Sequence, residues 1–481
     1  MKLIFDIFLY TFEMIIAFVF ISYNYDKKQS KTINTLFIGF FIFLTGALIL
    51  KFVNNEILNL VVFFILNLLF FIICFKIKTK EAIIYSILLD AVMFGADAVY
   101  IGGEAFGLRA KAKNFSMEDM KEGVRFAHDH GARVHVTVNI LAHNDDLEGA
   151  AEYLKELKEI GPDALIIADP AIFMLAKEIC PEIERHVSTQ ANNTNYGTFN
   201  FWWNLGAKRV VTARELSLKE IKEIRAHIPE EMEIESFIHG AMCISYSGRC
   251  LLSNFFTGRD ANQGACTHPC RWKYSVVEET RPGEYMPVYE NERGTYIFNS
   301  KDLCMIEHIP EMIDAGIDSF KIEGRMKTAL YVATVARTYR KAIDDYMKDP
   351  KLYEANMEWY KEEIGKCTYR EFTTGFYFGK PGSDAQIYNS NTYVKNYTYL
   401  GTVEEADGKG RCRIEQKNKF SVGETIEIMK PDGRNLEVVV KSICDEDGNG
   451  QESAPHPKQI LWVDLGADVD KYDILRKKED N

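Results

Sequence analysis

From Gly95 onward, short apolar runs alternate with amphipathic stretches, and this rhythm constrains the fold more than any other feature of the chain. Strands are expected at Ala98–Ile101, Val134–Val138, Ala164–Ile167, His186–Ser188, Arg209–Val211, Ile234–Ile238 and Ser319–Ile322. Helical stretches lie between them, at Met117–His130, Asp146–Ile160, Ala171–Ile179 and Leu218–Ala226. Such alternation argues for parallel strands joined by right-handed crossovers. Repeated this often, it predicts an α/β fold of the TIM-like β/α barrel type over residues 81–348.

In such barrels the active site is built at the carboxyl ends of the strands. The residues there are polar and varied: Gly102-Gly103-Glu104, Asn139, Asp169, Thr189-Gln190, Thr212 to Glu215, His239-Gly240 and Glu323-Gly324-Arg325. Any one of them reads equally well as a cap or a loop hydrogen bonder. The strand ending at Ile238 runs into a loop with four cysteines, Cys243, Cys250, Cys266 and Cys270. Four soft sulfur donors suit zinc or an iron–sulfur cluster. The loop has no pair of C-x-x-C knuckles, and wide, uneven gaps favour the larger cluster. Disulfides and unrelated buried thiols are the bland alternatives. Cys74, Cys180, Cys304, Cys367, Cys412 and Cys444 are scattered singly, as in a reducing compartment rather than a disulfide framework.

Glu235, Phe237, Gly240-Ala241-Met242-Cys243, Gly248, Cys250 and Ser253 match in full the signature of the collagenase-like peptidase family U-32. Gly95–Gly103, His186–Asn192 and Phe320–Arg325 also resemble blocks of that family, and the likeness runs from about Asp90 to Asp470. The resemblance implies more than proteolysis. Better understood members resemble oxygen-independent hydroxylases with a [4Fe-4S] cluster on four cysteines, here Cys243, Cys250, Cys266 and Cys270. Some act on the wobble uridine of tRNA with prephenate as oxygen source; others act on ribosomal RNA or the ubiquinone ring. Chain length and the terminal β-domain most resemble the tRNA branch, which makes tRNA the expected partner. The oligomeric state is left open.

Candidate catalytic groups follow from the same positions. Arg214 and Arg325 offer bidentate forks for a dicarboxylate such as prephenate, and both read equally as structural ion pairs. Glu235 enters as a signature residue. His239 precedes Cys243 closely enough to form the base of a peptidase dyad, the alternative that the family name suggests. Four thiols are excessive for one nucleophile, and neither H-E-x-x-H nor G-x-S-x-G occurs. Tyr246, Phe255, Phe256 and Trp272 are candidates to stack on a flipped base, or else pack the cluster loop.

The two ends of the chain are different material. Leu3–Ile21, Leu36–Leu50 and Ile57–Phe75 are apolar runs. Together with Lys27, Lys28, Lys31, Lys76, Lys78 and Lys80 they predict three transmembrane helices in residues 1–80 and a membrane-anchored chain with a cytoplasmic catalytic part. A buried helical hairpin is the plainer reading. These runs stand where the family has its first strand, so the expected barrel lacks that strand, and an inactive membrane fusion is a further possibility. Tyr331–Lys348 reads as a helix, and 349–390 as a linker. After Asn391 the period falls to two, which predicts a small antiparallel β-barrel over 391–481. The net charge of −12 excludes binding of nucleic acid by bulk charge and leaves room for a local basic patch.

Overall fold

The chain divides into two compact units, Met1–Lys80 and Glu81–Asn481. The computed structural model describes residues 88–107, 115–242, 245–247, 249–259, 261, 266–269, 275–276, 286–287, 299–324, 327–381, 385–387 and 394–479, all in the second unit.

Six parallel strands follow one another in register: β1 (Ala98–Gly102), β2 (Arg133–Val138), β3 (Ala164–Ile167), β4 (Glu184–Val187), β5 (Arg209–Val211) and β6 (Glu233–Ala241). β7 (Asp302–Cys304) pairs antiparallel with the end of β6, and β8 (Ser319–Ile322) pairs parallel with its start. The connections are α1 (Met117–Asp129), α2 (Asn144–Ile160), α3 (Pro170–Ile179), α4 (Tyr196–Leu205) and α5 (Leu218–Ala226). Local chemistry starts these helices where they start. Ser116 with Asp119 and Ser217 with Glu220 form capping boxes, and Asp169 caps α3 ahead of Pro170. The inner strands bury all or nearly all of their residues, because helices cover the outer face and the sheet curls over the inner one.

The curl brings the last parallel strand back to the first. The Lys321 ammonium of β8 lies 4.4 Å from the Tyr100 ring centroid of β1. The two strands nevertheless do not pair, so the closed TIM-like barrel is corrected to an open, mixed sheet among the described residues. β1 follows directly on a helix at 88–93, so no described strand fills the gap between β8 and β1. A second correction concerns the membrane. Among the described residues no helix is long and apolar enough to cross one. The transmembrane helices and the membrane anchoring inferred from them therefore drop out of the assignment; the runs at 1–80 lie outside the described residues.

Helix α6 (Leu252–Thr257) sits in the cysteine loop, and α7 (Ile309–Asp314) precedes β8. The long α8 (Ala329–Lys348) is capped by Thr328 and followed by α9 (Pro350–Ala355) and α10 (Met357–Ile364). The C-terminal part is an antiparallel sheet of β9 (Tyr397–Ala406), β10 (Arg411–Glu415), β11 (Thr425–Met429), β12 (Asn435–Val439), β13 (Ser442–Cys444), β14 (Ile460–Asp464) and β15 (Ile474–Lys478), with Gly450–Gln451 at one edge. Its edges do not pair with each other, so it is a half-barrel rather than the small closed barrel expected. Leu400, Ile414, Ile426, Ile428, Leu461 and Val463 fill its concave side.

Polar as well as apolar contacts join this sheet to α8 and α10. Arg337, Glu363 and Arg476 are almost fully buried, and both guanidinium groups donate to Glu363 Oε1. Arg476 also donates to Glu427 at 2.6 Å, and Arg337 to the carbonyl of Lys430 at 2.7 Å. Asp90, in the helix at 88–93, is buried too, and burial pushes its carboxyl up to about 8, against a small opposing pull from Lys417. An acid whose folded value is raised favours folding fully only below its unfolded value, and that contribution is lost as pH rises through about 8. Asp90→Asn is therefore expected to raise the melting temperature more at pH 8 than at pH 5. Equal shifts at both pH values in thermal unfolding would contradict it.

Candidate active site

A pocket opens at the carboxyl ends of the parallel strands. Its walls come from almost every strand: Tyr100 from β1, Thr137 from β2 with Asn139 just beyond it, Ile166 from β3, Val211 from β5, Phe237 from β6 and Lys321 from β8. Ser188, Thr189 and Gln190 from the turn after β4, with Arg214 and Glu323, complete the rim. Alternation along a strand explains the layering. Thr137, Phe237 and Lys321 sit two residues beyond, respectively, His135, Glu235 and Ser319, which form a lower polar layer.

That lower layer is an ion network. Glu235 accepts from Lys321 Nζ at 2.5 Å, Arg209 Nη1 at 3.0 Å and Ser319 Oγ at 2.8 Å. Burial alone would raise the Glu235 carboxyl, but the charges of Lys321 and Arg209 outweigh it and hold the group well below the usual carboxylate range. Arg209 also grips Glu233 through Nε at 2.7 Å. His135 and His186 meet edge to face at 4.8 Å. Burial holds both imidazoles below their usual range, His135 at about 3, with the neighbouring His186 adding to that shift. Two neutral imidazoles therefore share the floor with an ionised carboxylate and its two cations.

At the rim, Arg214 donates to Glu323 Oε2 and to the carbonyl of Ala241, each at 2.6 Å, and its guanidinium lies 4.0 Å from the Phe237 ring centroid. Gly240 makes this approach possible. Its φ is +136°, and a Cβ there would come within 2.6 Å of Glu323 Cβ. A glycine in the signature is thus required by the backbone that carries Glu323 past β6.

The expected residues separate into groups. Arg214 reaches the pocket wall and Glu235 supports its floor. His239 does not reach it. The pairing of β6 with β8 slips between Lys321 and Ile322, a bulge that turns His239 away from the pocket. Its ring packs against Tyr331, Tyr339 and Phe372. Burial, with a further contribution from Lys327, pushes its imidazole down to about 3. It is a packed, buried imidazole, and Cys243, its expected dyad partner, lies outside the described residues. Asp169, another rim candidate, is engaged as a helix cap and accepts from Ala171 N at 2.8 Å. Arg325, Cys243 and Cys270 lie outside the described residues. Lys321, Tyr100 and Thr137 belong to no rim motif; inward alternation on the strands is the signal that marks them.

The cysteine loop is fastened to this rim. Asn192, in left-handed backbone just after the pocket turn, accepts from Arg249 Nε at 2.7 Å and donates to the carbonyl of Ser247 at 3.2 Å. Within the loop Ser253 Oγ accepts from Thr267 N at 3.0 Å, and Thr257 Oγ1 donates to the carbonyl of Ser253 at 2.6 Å. Cys250 and Cys266 are half-buried and not in disulfides. The backbone N–H of His268 donates to Cys266 Sγ at 3.4 Å. Among the described residues no three side chains of the metal-binding types come together, and Cys243 and Cys270 lie outside those residues.

A polar pocket at the strand ends of a parallel β/α sheet, with a thiol-bearing loop on its rim, defines an enzyme of the β/α class. The chain belongs to Peptidase family U32: the family profile matches residues 85–387, and that of the Peptidase family U32 C-terminal domain matches 395–476. Among its relatives is the "tRNA hydroxylation protein P1" of Bacillus subtilis, 42% identical over 388 residues, covering 80% of this chain and 91% of the relative. The "tRNA hydroxylation protein P" of Escherichia coli is 38% identical over 428 residues, covering 80% of this chain and 93% of the relative. The "23S rRNA 5-hydroxycytidine C2501 synthase" of Escherichia coli is 40% identical over 387 residues, covering 79% of this chain and 55% of the relative.

Proposed function

We propose that the protein hydroxylates RNA, with a pyrimidine of tRNA, the wobble uridine by resemblance, as its target. The observation that carries this reading is the polar pocket at the strand ends, joined through Asn192 to the loop that bears Cys250 and Cys266. Relatives named for tRNA hydroxylation match nearly their whole length, which supports the same reading. Cys243, Cys250, Cys266 and Cys270 would hold a [4Fe-4S] cluster. That group, when bound, supplies one-electron chemistry without molecular oxygen. Prephenate is the proposed oxygen donor, with Arg214 and Arg325 as candidate partners for its carboxylates.

The chain's own contribution is positioning. Asn139, Ser188 and Gln190 offer hydrogen-bonding groups to a base edge inside the pocket. Tyr100 and Phe237 provide ring surface, and Lys321 places a cation at the floor that Glu235 holds still. Mass spectrometry of tRNA from a deletion strain tests the reading. Hydroxyuridine should disappear and return with the intact gene; unchanged levels would refute it. Gelatin cleavage by anaerobically purified protein, lost in Cys243→Ser, would instead support proteolysis. Iron and sulfide analysis with an absorption spectrum tests the cluster independently of turnover.

A further inference from the structure

An acidic protein that acts on RNA must hold it by local contacts, and one surface beside the pocket is built unlike the rest. On the cysteine loop Phe255 is 80% exposed and Leu251 75%, with Tyr246 and Phe256 also facing solvent. The rings of Phe255 and Phe256 meet edge to face at 5.1 Å, so their orientation is set. The segment beneath them is pinned rather than loose: Ser253, Thr257 and Thr267 clip it through their hydroxyls, and Asn192 ties it to the pocket turn. Exposed aromatic area of this kind costs free energy in water unless something covers it.

Charge identifies the occupant. From Gly240 to Lys273 the chain carries Arg249, Arg259, Arg271 and Lys273 against a single acid, Asp260, within a chain of net charge −12. Arg249 and Arg259 are exposed and bracket the aromatic residues along the chain. Aromatic faces interleaved with cations are what unpaired nucleotides recognise, each base stacking on a ring while its phosphate meets a cation. A second copy of this chain fits poorly, because a symmetric contact would bring like charges together.

We propose that Phe255 and Phe256, flanked by Arg249 and Arg259, form a stacking platform that holds unpaired nucleotides of the RNA substrate next to the pocket mouth. The inference rests on the RNA-hydroxylation reading and deepens it. The test uses the full chain and an unmodified tRNA transcript at fixed salt, with a blunt RNA duplex for comparison. Phe255→Ala/Phe256→Ala is expected to weaken transcript binding by ~10-fold or more, and Phe255→Trp to preserve it. Duplex binding and iron content should stay unchanged, and the loss should fall on KM rather than kcat. Transcript binding within twofold of the parent would overturn the platform while leaving the hydroxylase reading intact. A parent that binds no RNA would overturn both. A parent dimer that falls apart in the double variant would assign the patch to self-association and overturn the platform.

Discussion

Glu363→Ala should cost about 3–5 kcal/mol of stability, the loss expected when one member of a buried ion group is removed and its partners are left unpaired. Arg337 and Arg476 both donate to Glu363 Oε1, and neither has appreciable contact with water. Arg476 retains Glu427 and Arg337 retains the Lys430 carbonyl, but two guanidinium groups would then face each other without the carboxylate between them. The pH dependence has a definite sign. Burial raises the Glu363 carboxyl, while Arg476 and Arg337 outweigh it and bring the group down to about 2. A carboxylate depressed in the folded state contributes stability above its unfolded value and loses it as pH falls through about 2. Denaturant unfolding at neutral pH measures the effect; a change under ~1 kcal/mol would remove the network from the account of how the half-barrel is held. Replacing the group with apolar residues of similar volume should cost much less, because burying an ion pair gains little over packing.

Lys321→Ala should abolish tRNA hydroxylation and also destabilise the fold by about 3 kcal/mol, since among the described residues it leaves buried Glu235 hydrogen-bonded to Arg209 and Ser319 alone. The two consequences can be separated. In Lys321→Met/Glu235→Met the stranded carboxylate is gone, and Arg209 keeps Glu233. That variant should regain most of the stability and none of the activity. If it recovered both, Lys321 would be only a counter-ion for Glu235. If Lys321→Ala kept wild-type kcat/KM, the floor of the pocket would have no part in the reaction.

The parallel strands and most of their helices were legible because each signal is local. Alternation of apolar runs with amphipathic periods is carried by neighbouring residues, and Ser116, Asp169 and Ser217 mark helix starts within a few positions of the chain. β7 was not legible: it is three residues long, and only its pairing, antiparallel with β6 and parallel with Phe372–Thr373, makes it a strand. The helix at Tyr196–Leu205 carries little amphipathic signal: with Phe199, Phe201, Trp202 and Trp203 it is crowded with aromatic residues and shows little polar face. The placement of His239 shows the same limit. Its neighbours in sequence place it beside the cysteine loop, yet one slipped pairing turns its ring into the tyrosines of α8.

By itself the sequence determined the parallel strands, most of the helices between them, the four-cysteine loop and the family, because those depend on residue type and spacing along one stretch of chain. Only the tertiary structure decided that Lys321 returns to Tyr100, that Arg214 is shared between Glu323 and the Ala241 carbonyl, and that both sheets stay open among the described residues. Those outcomes depend on curvature and on contacts between residues far apart in the chain, and no local pattern of hydrophobicity or charge encodes where distant side chains meet.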